Sequence, residues 1–130
     1  MELRNLAPPE GTFDTLYGLE VTAIDDAEVR GHIDVRPELK QGAGLLHGGV
    51  LASMAEALAT MATYLAVRDD GKAAMGLSNA TSFLRPITEG TIEAVAKRRH
   101  RGRTTWVWDV DFTDTEGRLC ATTRMTIAVR

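Results

Sequence analysis

The sequence predicts an α+β fold in which one long helix packs against a curved antiparallel sheet. The helix is predicted from the segment 45–67, the most apolar run of the chain, because its large apolar residues recur at steps of three and four. These residues are Leu51, Met54, Leu58, Met61 and Leu65. Most of the remaining chain alternates apolar and polar residues at a period of two, which is typical of strands with one buried face. The predicted order of elements is β-β-α-β-β-β-β.

Two strands are predicted ahead of the helix. Residues 1–14 contain two adjacent prolines and a glycine, so they are predicted to form an irregular leader, and residues 15–130 a single domain. The segments 16–24 and 29–35 alternate, and the pair Asp25-Asp26 between them favours a tight turn. We therefore expect a hairpin that leads through a loop into the helix.

Four strands are predicted after the helix, which ends at the Arg-Asp-Asp-Gly sequence of residues 68–71. These strands are 75–85, 91–99, 106–113 and 119–129, separated by proline or by turns that contain glycine. Because the helix is apolar on most of its circumference, we expect the sheet to wrap around it and a second subunit to cover the remainder.

Composition limits the classes of function. The 130 residues carry 15 basic and 18 acidic side chains, and a net charge of −3 argues against a protein built to bind nucleic acid or anionic lipid. Cys120 is the only cysteine, which excludes an intramolecular disulfide and fits a reducing compartment. The N-terminal residues lack the apolar core of a signal peptide, and the apolar helix contains His47 and Glu56. We therefore expect a cytoplasmic protein that does not cross a membrane.

Glu56 is the candidate centre of the chemistry. It lies inside the apolar helix, in one row with Ser53, Thr60 and Thr63 at helical spacing. A carboxylate in this setting can act as a nucleophile or as a general base. The alternative is a glutamate that is solvated or salt-bridged and has no chemical role.

His47, Gly48 and Gly49 open the helix. Glycines there allow a ligand to approach the backbone closely, and the first N–H groups of a helix have no internal partner. With the positive end of the helix dipole they can stabilise a developing oxyanion. The alternative interpretation is an ordinary turn.

A basic cluster occupies residues 97–103, with five positive charges in seven residues. It is either a solvated turn between two strands or a site for a ligand with several phosphates. A nucleic-acid site is less well supported, because no exposed aromatic residues accompany the charges.

The sequence resembles the hotdog-fold acyl-CoA thioesterases of the phenylacetate-pathway and 4-hydroxybenzoyl-CoA type, from about Leu16 to the C-terminus. The resemblance is carried by Gln41, by LLHGGVLASMAEALAT at 45–60, by SNATSFLRP at 78–86 and by RHRGRTTWVWDVDFTDTEGRLCA at 99–121. It implies a long helix wrapped by an antiparallel sheet, with two subunits forming one continuous sheet and pairing again into a tetramer.

The resemblance also implies roles for individual residues. Glu56 is the catalytic carboxylate, as nucleophile or general base, and the N–H of Gly48 or Gly49 polarises the thioester carbonyl. His47 and Gln41 position the thioester, and Thr60 orients the carboxylate or the attacking water. Contacts with the pantetheine arm and the nucleotide phosphates of coenzyme A are implied for Ser82, Arg85, Arg101, Arg103 and Thr104.

We therefore expect a thioesterase that hydrolyses an acyl-CoA to the free acid, with an aryl or arylacetyl group favoured. Coenzyme A enters only as part of the substrate, and neither a cofactor nor a metal is expected. A homodimer or a dimer of dimers is the expected assembly. The alternatives are a thioesterase for short or medium fatty acyl-CoA, and a non-catalytic acyl-CoA-binding or assembly protein that retains the fold.

Overall fold

A six-stranded antiparallel sheet wraps one long helix in the computed structural model, which describes residues 7–130. The strand order across the sheet is β1-β2-β4-β5-β6-β3, so β1 and β3 form its edges. The helices are α1 (Phe13–Leu16) and α2 (Gly48–Val67), and the strands are β1 (Glu20–Ile24), β2 (Glu28–Asp34), β3 (Ala74–Phe83), β4 (Thr91–Arg101), β5 (Thr105–Thr113) and β6 (Leu119–Val129). The predicted hotdog fold, with one long helix and two strands before and four after it, is confirmed.

The chain ahead of β1 differs from the prediction. The predicted first strand began at residue 16, but α1 ends there, and Gly18 with φ of +81° redirects the chain before β1 begins. Part of the predicted leader, residues 1–6, lies outside the described residues. Its last two residues, Phe13 and Asp14, belong to α1.

The helix α2 begins three residues later than the apolar run because His47 caps it. The His47 backbone is extended, and its Nδ1 accepts a hydrogen bond from the Gly49 N–H at 2.9 Å. The cap satisfies one of the N–H groups that a helix start leaves without a partner. At the other end, Gly71 with φ of +72° terminates a 3₁₀ turn that follows α2.

The buried face of α2 is rotated from the predicted apolar stripe. Leu51, Met54 and Leu58 are buried as predicted, whereas Met61 and Leu65 are only partly buried. The small residues Ala55, Ala59 and Ala62 are buried in their place. Alanine lets a helix lie close to a sheet at interior packing density, so the periodicity of large residues alone did not locate the face.

Thr63 was predicted to share a polar row with Glu56, but it is buried against the sheet. Its hydroxyl donates to the Ala59 carbonyl at 2.8 Å and accepts the indole N–H of Trp108 at 2.9 Å. Because a buried indole N–H needs a hydrogen-bond acceptor, Thr63 stabilises the core by accepting the Trp108 N–H.

Thr63→Val is expected to lower the free energy of unfolding by about 1–3 kcal/mol, because it leaves the Trp108 N–H without an acceptor. Urea unfolding of the variant and the wild type measures the difference. Thr63→Ser keeps the hydroxyl and is expected to recover most of the loss. Equal stability of Thr63→Val and the wild type would show that this hydrogen bond contributes nothing.

The stretch Gly48–Asp70 is long and apolar enough to cross a membrane by length and composition. In this fold it packs on the sheet instead, with Met54 and Leu58 fully buried. It is therefore the core helix of the domain.

Candidate active site along the central helix

The start of α2 presents one free backbone donor. The Gly49 N–H is already bonded to His47 Nδ1, whereas the Gly48 N–H has no partner among residues 7–130. Of the two predicted donors, Gly48 is therefore the one available to a ligand. With Nδ1 accepting, a neutral His47 carries its proton on Nε2, so the exposed ring offers a second donor beside the helix start.

Gln41 and Arg85 lie beside this helix start. Together with His47 and Gly48 they line a mainly apolar cavity of about 490 Å³. The Gln41 Oε1 accepts the Ala43 N–H within the loop, so the Gln41 amide nitrogen is the group of this side chain that remains free to donate to a ligand. The structure therefore brings three polar groups predicted for the site together: the Gln41 amide, the His47 ring and the Gly48 N–H.

Phe83, which was not among the predicted site residues, also forms this cavity. Its ring covers Gly48 so closely that a Cβ at position 48 would lie 2.6 Å from two ring carbons. Glycine is therefore required for the aromatic ring to stand against the helix start. No sequence pattern indicates this contact, because Phe83 and Gly48 meet only through the pairing of β3 with the rest of the sheet.

Glu56 lies on the exposed face of α2, where its carboxylate makes no hydrogen bond or ion pair within the described part of the chain. Strand β3 approaches it at Gly76, where a Cβ would lie 2.9 Å from Glu56 Oε1. The carboxylate faces a cavity of about 450 Å³. It is therefore available to a ligand and confined on the side of β3.

Thr60 lines the same cavity one turn beyond Glu56. Its Oγ1 is buried and is the one such side-chain atom without a hydrogen-bond partner in the described chain. Ser53, by contrast, bonds back to the Gly49 carbonyl at 2.7 Å, as Thr63 does to Ala59. Of the predicted polar row, Glu56 and Thr60 alone keep free polar groups beside the cavity.

The far wall of this cavity is formed by α1 and the outer face of α2. Phe13 and Asp14 contribute from α1, and Met61 and Tyr64 from α2. Asp14 Oδ1 accepts the hydroxyl of Tyr17 at 2.5 Å. Burial raises the pKa of Tyr17, and the hydrogen bond and charge of Asp14 and the charge of Glu56 act in the same direction. Tyr17 therefore stays protonated and anchors Asp14 beside the cavity.

Arg101, Arg103 and Thr104 lie elsewhere, at and beyond the end of β4. Arg101 is bonded to Asp26 at 2.8 Å, and its guanidinium stands 4.7 Å from the centre of the Trp106 ring. Its charge is therefore already paired within the chain.

The register of the sheet separates Arg101 from Glu56. Arg101 pairs with Trp106, Trp106 with Ile127, and Ile127 with Gly76, which is the residue beside Glu56. Three strand spacings of roughly 4.8 Å place Arg101 about 14 Å across the sheet from Gly76. One chain therefore does not bring the predicted phosphate-binding residues of this turn to the Glu56 cavity. Ser82 is exposed on β3 and is not among the residues that line either cavity.

The chain is similar to known thioesterases in sequence and in fold. Residues 43–121 match the model of the thioesterase superfamily. The chain is 35% identical over 119 residues to the proofreading thioesterase EntH of Cronobacter turicensis. The matched region covers 92% of this chain and 86% of that protein. A mutant of the thioesterase PA1618 from Pseudomonas aeruginosa has a TM-score of 0.94 and 34% identity, covering 99% of this chain and 94% of that one. The PaaI protein of the E. coli phenylacetic acid degradation operon has a TM-score of 0.78 and 25% identity, over 88% and 80% of the two chains.

Proposed function

The chain belongs to the thioesterase superfamily and is a thioester hydrolase. We propose that its substrate is an acyl-CoA with a small acyl group, preferably aryl or arylacetyl. One observation carries the assignment of the site. An unpaired carboxylate at Glu56, an unpaired hydroxyl at Thr60 and a free N–H at Gly48 lie along the same helix. These are the groups that thioester hydrolysis needs: a nucleophile or base, a group that orients water, and an oxyanion donor.

In the proposed mechanism the thioester carbonyl accepts the Gly48 N–H at the positive end of the α2 dipole. The Gln41 amide and the His47 ring hold the thioester from the loop side. Gly48 and Glu56 are eight residues apart, about 12 Å along a helix, and the Glu56 side chain leans toward the helix start. A carbonyl carbon lies only about 1.2 Å from its oxygen, so Gly48 and Glu56 of one chain cannot act on the same thioester, and in the proposed mechanism Gly48 of one subunit acts together with Glu56 of a second subunit.

Two chemical routes use the same residues. In the first, a Glu56 oxygen attacks the carbonyl carbon, the C–S bond breaks to release the thiolate, and water then hydrolyses the resulting anhydride. In the second, Glu56 takes a proton from water as the water oxygen attacks the carbonyl carbon, and the tetrahedral intermediate then breaks its C–S bond to release the thiolate, which takes up a proton, and the free acid. In both routes Thr60 orients the water.

The residues that line the Glu56 cavity favour a substrate with an aromatic acyl group. The rings of Phe13 and Tyr64 and the thioether of Met61 line it, and all three make favourable contacts with a flat apolar ring. Both aromatic side chains are well exposed, Phe13 at 61% and Tyr64 at 46%. Two exposed aromatic rings beside a free carboxylate are well suited to bind a ligand.

We further propose that the chain forms a dimer through β3. This edge strand presents unpaired backbone groups, and Met75, Leu77 and Phe83 on it are each more than half exposed. A second β3 would pair with this edge and cover apolar surface, extending the sheet into a second subunit. The continuous sheet and the dimer of dimers expected from the resemblance are compatible with this arrangement.

Such a dimer would bring the second subunit's β4–β5 turn toward the active site. An antiparallel β3 pair places the partner's residue 74 near Phe83, and therefore near Gly48. Ala74 pairs with Val129, whose N–H donates to the Thr104 carbonyl at 2.9 Å. The turn with Arg103 and Thr104 is then about three strand spacings, roughly 14 Å, from Phe83 at the helix start, a distance that the extended pantetheine arm of coenzyme A can bridge. We propose that it meets the nucleotide phosphates of coenzyme A, while Arg85 and Ser82 serve the site from the same chain.

Thiol release from a panel of acyl-CoAs tests the proposal, with benzoyl, hydroxybenzoyl, phenylacetyl and straight-chain acyl groups from short to long. Rapid release with aryl or arylacetyl groups ranked first is the expected result. Release ranked highest for hexanoyl- or octanoyl-CoA would instead favour the fatty acyl alternative. Tight binding without release from any substrate would identify a binding protein.

Thr60→Val is expected to lower kcat roughly tenfold without lowering stability. The hydroxyl that it removes has no partner in the described chain, so folding loses no hydrogen bond, while the attacking water loses its orientation. Steady-state kinetics and thermal unfolding of the same preparation give both quantities. Thr60→Ser keeps the hydroxyl and serves as the control, and a wild-type kcat for Thr60→Val would remove Thr60 from the mechanism.

A further inference from the structure

Phe13 borders two cavities. One is the Glu56 cavity of about 450 Å³, and the other has a volume of about 360 Å³. The second cavity has an apolar inner wall formed by Leu16, Leu39 and Val50, with charged side chains at its rim. Among the described residues, Phe13 alone lines both cavities. Its side chain therefore borders both cavities.

The position of this ring is fixed by its neighbour. Phe13 meets Tyr17 edge to face, with the ring centres 5.3 Å apart and the planes at 67°. Tyr17 is only 3% exposed and is tied to Asp14 through its hydroxyl, so it forms a firm support. The Phe13 ring is thus held in place although 61% of the Phe13 surface is exposed.

Resting on the proposed function, we propose that Phe13 sets the upper limit on the size of the acyl group. With the ring in place, an acyl group whose thioester lies beside Glu56 is confined to one cavity, which suits a compact aryl or arylacetyl group. Without the ring, the two cavities join, and a straight acyl chain can extend past α1 onto the apolar wall that includes Leu39 and Val50. The aryl group at the same time loses the face of an aromatic neighbour.

The test measures kcat/KM for phenylacetyl-CoA and decanoyl-CoA with the wild type, Phe13→Ala and Leu119→Ala. Phe13→Ala is expected to raise the ratio of decanoyl to phenylacetyl kcat/KM at least tenfold, the gain from burying roughly two further methylene groups. Leu119→Ala also removes an exposed apolar side chain, but Leu119 lies on β6 and borders neither cavity. Its ratio is expected to stay within about twofold of the wild-type ratio.

The outcomes distinguish a failure of the proposed acyl-CoA hydrolysis from a failure of the role proposed for Phe13. Hydrolysis of no acyl-CoA by the wild type would overturn the proposed function and this inference with it. An active wild type whose substrate ratio is unchanged in Phe13→Ala would overturn the role of Phe13 alone. Phe13→Leu retains more of the side-chain volume and is expected to show a smaller shift in the same direction. It replaces Phe13→Ala in the comparison if thermal unfolding shows that the alanine variant does not fold.

Discussion

Glu56→Gln is expected to lower kcat for thiol release by about a hundredfold or more, with little change in KM. The substitution preserves the size of the side chain but removes its charge and basicity, so the amide can neither attack a thioester nor accept a proton from water. Glu56 makes no hydrogen bond or ion pair in the described chain, so the fold is expected to be unaffected. Steady-state thiol release with the preferred acyl-CoA measures the effect.

Glu89→Gln is the matched control, because Glu89 is an exposed carboxylate that does not border the Glu56 cavity. It is expected to retain wild-type kcat. Binding of the substrate to Glu56→Gln, measured by calorimetry, should persist if the loss is chemical. Should Glu56→Gln release thiol as fast as the wild type, Glu56 has no part in the reaction, and the hydrolytic residue must be sought elsewhere.

The fold could be predicted because its signals are local. A 20-residue helix and strands with alternating burial each leave a period in the sequence, and the strands β4, β5 and β6 lie close to the predicted bounds. The short helix α1 has no such period. Its four residues end at Leu16, two positions before Gly18, whose positive φ is a backbone property that the sequence suggests only weakly.

The candidate site could be predicted only in part. Gln41, His47, Gly48, Glu56 and Thr60 come from one loop and one helix, so a motif with fixed spacing identifies them, although they line two different cavities. Their individual roles stay predictions until the variants are measured.

The walls of the site could not be predicted in the same way. Phe13, Gly76 and Phe83 reach α2 from distant parts of the chain, through contacts that no period or motif records. Arg103 and Thr104 lie far from Glu56 within one chain, and their proposed role depends on a second subunit. Partner geometry is not encoded in the spacing of a single sequence.

Gly76→Ala is expected to reduce kcat by roughly tenfold to a hundredfold while leaving stability nearly unchanged. The new Cβ would lie 2.9 Å from Glu56 Oε1 and 3.4 Å from Met125 Cε. The second contact is an ordinary van der Waals distance, but the first is too short, and the carboxylate is the group that can move. Because it ends a flexible side chain, moving it costs little folding energy. A displacement of about 1 Å at the reacting group is nevertheless expected to cost up to a hundredfold in rate.

A double-mutant cycle with Glu56→Asp separates this displacement from any general damage to β3. Aspartate is one methylene shorter, so its carboxylate withdraws from position 76, and Gly76→Ala should then have little further effect. Strong non-additivity in kcat is therefore the expected result. If Gly76→Ala lowers the rate by the same factor in both backgrounds, the alanine acts through the strand and not through the carboxylate. If it leaves the wild-type rate intact, the Glu56 carboxylate works from a position that β3 does not restrict.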